Sequence, residues 1–292
     1  MLKRTKGEKV FAVVNGFILT AFSLAFIIPY LVVISTSLSD ELEILKNGYT
    51  LIPEGLTLAA YEFVFKSCPI LLRSIFNTVL LTLVGCLLGM LVQFMLGYVL
   101  SKKYLPGYGP FNFLIVFTMM FAGGLVPTYL LVRNLGLYNS FWAMVIPGLC
   151  SSYNIILIRN YFQSQPASLE EAALMDGANH WQGFWRIAIP TAKPIIATIG
   201  VFSIVGKWNE WYTAMLYISD VDKYPIQMVV REMYQNFNVL VENATALGGN
   251  TILPTETAKM AVVIVSTLPI ILVYPFLQKY FVNGIMLGSV KE

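Results

Sequence analysis

Apolar residues along this chain cluster into six long stretches, near 10–34, 71–100, 110–132, 140–161, 194–218 and 260–281. Each is long enough to cross a hydrocarbon core as a helix, which takes about 20 residues. The first outlasts a signal-peptide core, and no small-residue cleavage site follows it, so it reads as a retained helix. The polar intervals at 35–70 and 219–259 carry turn formers rather than low-complexity linkers: Pro53-Glu54-Gly55, Gly248-Gly249-Asn250 and Pro254. Within the second interval, Ile226-Gln227-Met228-Val229-Val230-Arg231-Glu232-Met233-Tyr234 is patterned to lie flat at a membrane interface. The pattern predicts an all-α membrane protein with six transmembrane helices, a single domain over 1–292.

The apolar stretches are interrupted in informative places. Gly85, Gly89 and Gly97 form a thin face on the second, of the small-xxx-small kind that lets another helix approach. Gly123-Gly124 and Pro127 in the third, and Pro147-Gly148 in the fourth, weaken helices at membrane depth. Such breaks are tolerated where protein or a cavity covers the freed backbone groups. A packing kink and a substrate-lining break both fit. The fifth stretch holds Lys207-Trp208-Asn209-Glu210-Trp211, whose ionisable groups should face the bundle interior or a wet cavity. Lys207 and Glu210 lie three apart, so they either pair within the helix or help line a path. Trp208, Asn209, Glu210 and Trp211 are the candidates for that path, because polar solutes with apolar faces are held by aromatic rings and hydrogen-bonding groups.

Composition excludes a soluble domain: 57% of residues are hydrophobic and 12% charged, where soluble chains carry about 25% charged residues. The mean hydropathy of +0.69 agrees. Lys3, Arg4, Lys6, Lys9, Lys102, Lys103, Arg159, Arg186, Lys193, Lys279 and Lys291 fall at one set of span ends. The intervals at 35–70 and 219–259 are acidic instead, with Asp40, Glu41, Glu43, Glu54, Glu62, Asp220, Asp222, Glu232, Glu242 and Glu256. The positive-inside rule then puts both termini and the loop at about 163–193 in the cytoplasm, and the acidic loops outside. The net charge of +3 reflects this bias and not nucleic-acid binding, since no basic stripe interleaves with aromatics. Cys68, Cys86 and Cys150 lack metal-ligand spacing, and His180 is the single histidine, so no metal site and no catalytic cluster is expected. No GxxxxGK[ST] loop exists to cradle phosphates.

The segment 166–190 differs from its apolar surroundings. It reads as two short helices with a bend. Pro166 ends the preceding span, and Ser168 with Glu171 has the spacing of a capping box. Gly177 fits a left-handed C-cap, and Asn179 with Gln182 repeats the cap-plus-three pattern. Ala172 and Ala173 make a smooth face, while Trp181, Phe184 and Trp185 crowd the second helix with aromatics that suit the bilayer surface or a partner.

Glu171-Ala172-Ala173, three residues, Gly177, nine residues and Ile187-Ala188-Ile189-Pro190 resemble the EAA motif of binding-protein-dependent ABC import permeases, with Ile189 where leucine is usual. Over nearly its whole length the chain resembles the carbohydrate-uptake branch, and within it the permeases for complex oligo- and polysaccharides, alginate importers included. The resemblance implies a type I ABC importer permease fold with a cytoplasmic coupling helix. In it, Glu171, Ala172, Ala173 and Gly177 would dock an ATPase. It implies a second homologous permease subunit, two ATPase subunits that bind ATP and Mg, an extracytoplasmic solute-binding protein and an oligosaccharide cargo, with an acidic polysaccharide such as alginate among the candidates. The chain itself would bind no cofactor, sit in membrane lipid of the bacterial inner membrane and contact no nucleic acid. The tail Asn283–Lys291 would be flexible and reach toward the ATPases or fray. An ion-gradient-driven secondary transporter would need paired intramembrane carboxylates or broken helices. A permease for a non-sugar solute is the other alternative.

Overall fold

The computed structural model describes residues 5–67, 69–235 and 255–289. Cys68 and the turns at Gly248-Gly249-Asn250 and Pro254 lie outside them. Among the described residues all regular structure is helical. In chain order the helices are α1 (Lys6–Ser37), α2 (Glu41–Asn47), α3 (Ala59–Ser67), α4 (Ile70–Ser101), α5 (Tyr108–Met120), α6 (Leu125–Asn134), α7 (Phe141–Val145, extended by a 3₁₀ turn over Ile146–Gly148) and α8 (Ser152–Ser164). Then come α9 (Ala167–Met175), α10 (His180–Thr191), α11 (Lys193–Trp208), α12 (Tyr212–Tyr217), α13 (226–235) and α14 (Glu256–Ser289).

Three helices, α1, α4 and α14, are long and apolar enough to cross a membrane unbroken. Three bent pairs pass the same test together: α5 with α6 by 115° and α7 with α8 by 45°, which cover the expected third and fourth spans, and α10 with α11 by 80°, of which only α11 lies in the expected fifth span. The bends fall where breakers were noted, at Gly123-Gly124 and at Pro147-Gly148. The fifth span also stops early: α11 ends at Trp208, and a break at 209–211 separates it from α12. At the other end, the segment expected to be a loose tail continues α14 as far as Ser289.

The residues form two compact units, Met1–Pro69 with Val230–Leu268, and Ile70–Val229 with Pro269–Glu292. In the first, α1 starts in a capping box: Thr5 Oγ1 accepts from Glu8 N–H at 3.3 Å and Glu8 Oε2 from Thr5 N–H at 2.8 Å. Its apolar residues are exposed until Ser35–Ser37, as suits a helix surrounded by lipid or other spans. Tyr30 and Thr267 join α1 to α14 by a 3.1 Å hydroxyl contact. The strongest tie is Glu41. Its Oε1 accepts from Thr255 Oγ1 at 2.7 Å and Glu256 N–H at 2.9 Å, and its Oε2 from Thr257 N–H at 2.9 Å and Thr257 Oγ1 at 2.7 Å. A carboxylate thus satisfies the orphan amides at the start of α14 and meets the positive end of its dipole.

In the second unit, α4 is the central rod, packed along α8 and α11. Phe94 and Tyr98 of α4 join Ile158, Phe162, Phe184 and Ala188 in one buried core. Leu81 of α4 joins Met144, Val145, Ala214, Ile218 and Met228 in another. The stretch expected to lie flat at the interface is therefore packed instead. Ile226, Met228 and Val229 are buried, and Ile226 N–H donates to Thr78 Oγ1 at 2.7 Å.

Burial pushes the Glu41 carboxyl up, but its four hydrogen bonds together outweigh burial and hold it below the ordinary carboxylate range. A lowered folded value stabilises the protein above the unfolded pKa of about 4.3, and that contribution is lost as pH falls through the folded value. Glu41→Gln should destabilise the protein by about 1–3 kcal/mol at neutral pH and flatten its acid limb. Thermal unfolding of the purified protein between about pH 3 and pH 7 checks both.

Candidate functional site

The segment 166–190 is built from local signals. Helix α9 starts at Ala167 with Pro166 at its N-cap and no side-chain cap. Ser168 therefore lies inside the helix, and the expected Ser168–Glu171 capping box is not formed. Glu171 is exposed and makes no hydrogen bond or ion pair among the described residues. The C-terminus is as expected. Gly177 has φ +83°, Gly177 N–H donates to Leu174 O at 3.0 Å and Ala178 N–H to Ala173 O at 2.9 Å. This is a Schellman cap. The Asn179–Gln182 box forms with both bonds, 2.8 and 3.0 Å. The first part of α10 then widens into a π-turn over Phe184–Ala188, a feature that often marks functional sites.

The two alanines face different ways. Ala173 is buried and Ala172 exposed. Both border an open groove of about 540 Å³ with Asp176, Gly177, Gln182 and Arg186. Met175 is 89% exposed beside it. The aromatics meet edge to face, with ring centroids 5.8 Å apart for Trp181–Trp185 and 5.0 Å for Phe184–Trp185. Trp181 and Trp185 stay exposed while Phe184 enters the core.

What holds α9 in place is a latch that the sequence reading missed. Glu170, not Glu171, is tied to α4: Tyr98 Oη donates to Glu170 Oε1 at 2.8 Å, and Lys102 Nζ pairs with Glu170 Oε2. The Lys102 ammonium also lies 4.4 Å from the centre of the Tyr98 ring, within cation–π range. Lys102 was read only as a marker of membrane sidedness. The adjacent Glu170-Glu171 doublet hid which carboxylate is used internally.

A second feature lies at membrane depth. A cavity of about 540 Å³ opens between α4, the α7–α8 bend and α11, lined by Gly85, Gly89, Gln93, Gly148, Ser151, Tyr153, Asn154, Lys207 and Glu210. Gln93 donates to Leu149 O at 2.7 Å and accepts from Asn154 Nδ2 at 3.0 Å. Of the four path candidates, Glu210 alone is in this wall. Trp208 is buried in packing, Trp211 is 38% exposed, and Asn209 turns back to Val205 O at 2.9 Å. The Lys207–Glu210 ion pair is absent. Lys207 Nζ donates to Met144 O at 2.9 Å, and Glu210 Oε1 accepts from Thr213 N–H at 3.0 Å at the start of α12. The glycine face serves two ends: Gly97 admits α8, and Gly85 makes room for the Lys207 stem. Gln93 and Asn154, amides within apolar stretches, are the sequence signal for this wall.

A family model for the binding-protein-dependent transport system inner membrane component matches residues 3–286. Protein LplC of Bacillus subtilis (strain 168) is 40% identical, over 99% of this chain and 98% of that protein. The polygalacturonan/rhamnogalacturonan transport system permease protein YtcP of the same organism is also 40% identical, over 95% and 96%. A crystal structure of a bacterial ABC transporter involved in the import of the acidic polysaccharide alginate includes a chain that superposes with TM-score 0.87. That chain is 35% identical, covering 96% of this chain and 100% of that one.

The latch can be measured apart from any partner. Lys102→Met and Glu170→Gln should each cost stability, about 1–2 kcal/mol for so partly shielded a pair. The double variant should lose less than the sum, with a coupling of about 1 kcal/mol. Denaturation of the four proteins in detergent checks it, and strict additivity would break the assignment.

Proposed function

Since this chain belongs to the family of binding-protein-dependent transport system inner membrane components, we propose that it carries an oligosaccharide across the bacterial inner membrane together with a second, homologous permease subunit. It is a membrane subunit of an ABC importer with the type I permease fold, and ATP hydrolysis resides in separate subunits. Two such ATPases, binding ATP and Mg, sit on the cytoplasmic side, and an extracytoplasmic solute-binding protein delivers cargo. Both termini and α9 face the cytoplasm, in keeping with the Lys/Arg distribution.

Helix α9 is the coupling helix, with Glu171, Ala172, Ala173 and Gly177 at the ATPase contact. One observation carries this. Glu171 stands exposed with no side-chain partner among the described residues, next to Ala172, which lines an open groove with Gly177. The latch on Glu170 frees its neighbour for an external basic group. Closure of the ATPases on ATP draws the coupling helices together and turns the membrane cavity outward to receive sugar, and hydrolysis returns it inward. Glu210 and the amides Gln93 and Asn154 line the path. Trp208 and Trp211 contribute to its frame, and Asn209 to the turn between α11 and α12.

Two experiments test this reading. Glu171→Arg breaks no internal bond, so insertion and stability should stay normal while co-purifying ATPase falls about tenfold, equal to about 1.4 kcal/mol. Undiminished ATPase recovery would remove Glu171 from the contact. For orientation, Cys68, Cys86 and Cys150 are replaced and single cysteines placed at His180 and at Ile52. The first should be labelled only from the cytoplasm and the second only from outside. Labelling of both from one side would overturn the topology.

A further inference from the structure

Where α10 turns into α11, the two helices and α4 leave an open groove of about 370 Å³. Its walls are apolar, with Leu87, Leu91 and Phe94 from α4, Trp185 and Ile189 from α10, and Ile196 from α11. Leu87 is 69% exposed and Leu91 40%, so the groove stays open on that side. Its size excludes a helix as the occupant. A helix is about 10–12 Å across, and spread over that width the groove would be about 4 Å deep, less than one turn. Water needs several polar partners, which these walls do not supply. A single hydrocarbon chain is narrow enough and apolar enough to enter. At the edge stands a cation. Lys193 opens α11 three positions before Ile196, which puts both on one side of the helix. Lys193 is exposed and has no hydrogen bond or ion pair among the described residues.

We propose that this elbow binds one anionic phospholipid, with an acyl chain in the groove and the phosphate on Lys193. The inference rests on the membrane location of the chain and on no particular cargo. A phospholipid joins in one molecule the two things the site asks for, a narrow hydrocarbon and an anion within a lysine's reach of it. Lys193 can lay its methylenes along the apolar wall while its ammonium meets the phosphate. Trp185, 41% exposed, is of the residue type that settles at headgroup level. It offers a ring to the upper part of the chain and an N–H donor to the glycerol esters. Basic sites between spanning helices are seats for anionic headgroups. A neutral lipid would offer the same chain, so the preference for an anionic one comes from Lys193. A chain seated here fills the space between α4 and the elbow and props the 80° bend.

The test uses the full chain, purified with the subunits that accompany it and placed in nanodiscs of phosphatidylcholine with a minor share of phosphatidylglycerol. Lipid retained after detergent extraction is identified by native mass spectrometry in the wild type and in Lys193→Gln, Lys193→Arg and Leu91→Trp. The wild type should retain a single phosphatidylglycerol in preference to phosphatidylcholine. In Lys193→Gln that preference should fall about fivefold, equal to about 1 kcal/mol for one lysine beside anionic lipid, and in Lys193→Arg it should persist. Leu91→Trp fills the groove and should retain no lipid although its lysine is intact. Equal retention of the two lipids by the wild type would overturn the proposal, as would an undiminished preference in Lys193→Gln. Phosphatidylglycerol held as firmly by Leu91→Trp as by the wild type would put the acyl chain elsewhere. A wild type without retained lipid, together with a Leu91→Trp that no longer assembles, would give the groove to a neighbouring subunit and refute the inference. Sugar uptake is not among the readouts, so the reading of cargo and coupling stands or falls separately.

Discussion

At Gly97 the backbone of α4 comes so near α8 that a methyl group there would lie 2.6 Å from Ile158 Cγ2. No side chain but hydrogen fits. In a bilayer there is little hydrophobic drive to bring helices together, so close van der Waals contact has to do it. The rest of the larger unit follows from that approach. With α8 pressed onto α4, Phe162 meets Tyr98 edge-on at 5.5 Å, and the Tyr98 hydroxyl is aimed at Glu170. A few turns away the same glycine face widens the gap and leaves space for Lys207. One helix therefore sets the position of α9 and the width of the cavity beside Lys207.

Much of this was legible beforehand, because the signals were local. The positions of the apolar stretches depend on composition over about 20 residues. The Gly177 cap and the Asn179–Gln182 box depend on residues within one turn. The failures were of two kinds. Ser168–Glu171 had the right spacing, but the helix begins two positions earlier, with Pro166 at its N-cap, and that shift removes the capping box. Lys207–Glu210 had helical spacing, but α11 stops at Trp208, so the second partner lies past the end. The end of α11 at Trp208 is not marked by a Gly or Pro.

Contacts across long separations were not legible at all. Glu41 meets Thr257, 216 positions away, and nothing near Glu41 distinguishes it from Glu43 or Glu62. The Lys102–Glu170 pair spans 68 positions and was masked by the equally plausible Glu171. Gly123-Gly124 and Pro147-Gly148 announced breaks, but a breaker does not encode an angle. The difference between 115° and 45° comes from what packs on each side.

The bend between α10 and α11 has a mechanical consequence. Two helical arms joined at 80°, with the fully buried Ala192 at the elbow, have the geometry of a bell-crank. At 1.5 Å per residue the arms are about 18 and 24 Å long, and Lys207 sits near the far tip of the longer one. A sideways push of about 3 Å at the tip of the shorter arm, with the elbow held, swings the other tip by about 4 Å in a direction nearly at right angles. A thrust along the membrane surface thus becomes a stroke across the bundle with no loss of travel, provided the elbow does not flex. Ala192 is fully buried, so the elbow is packed on all sides.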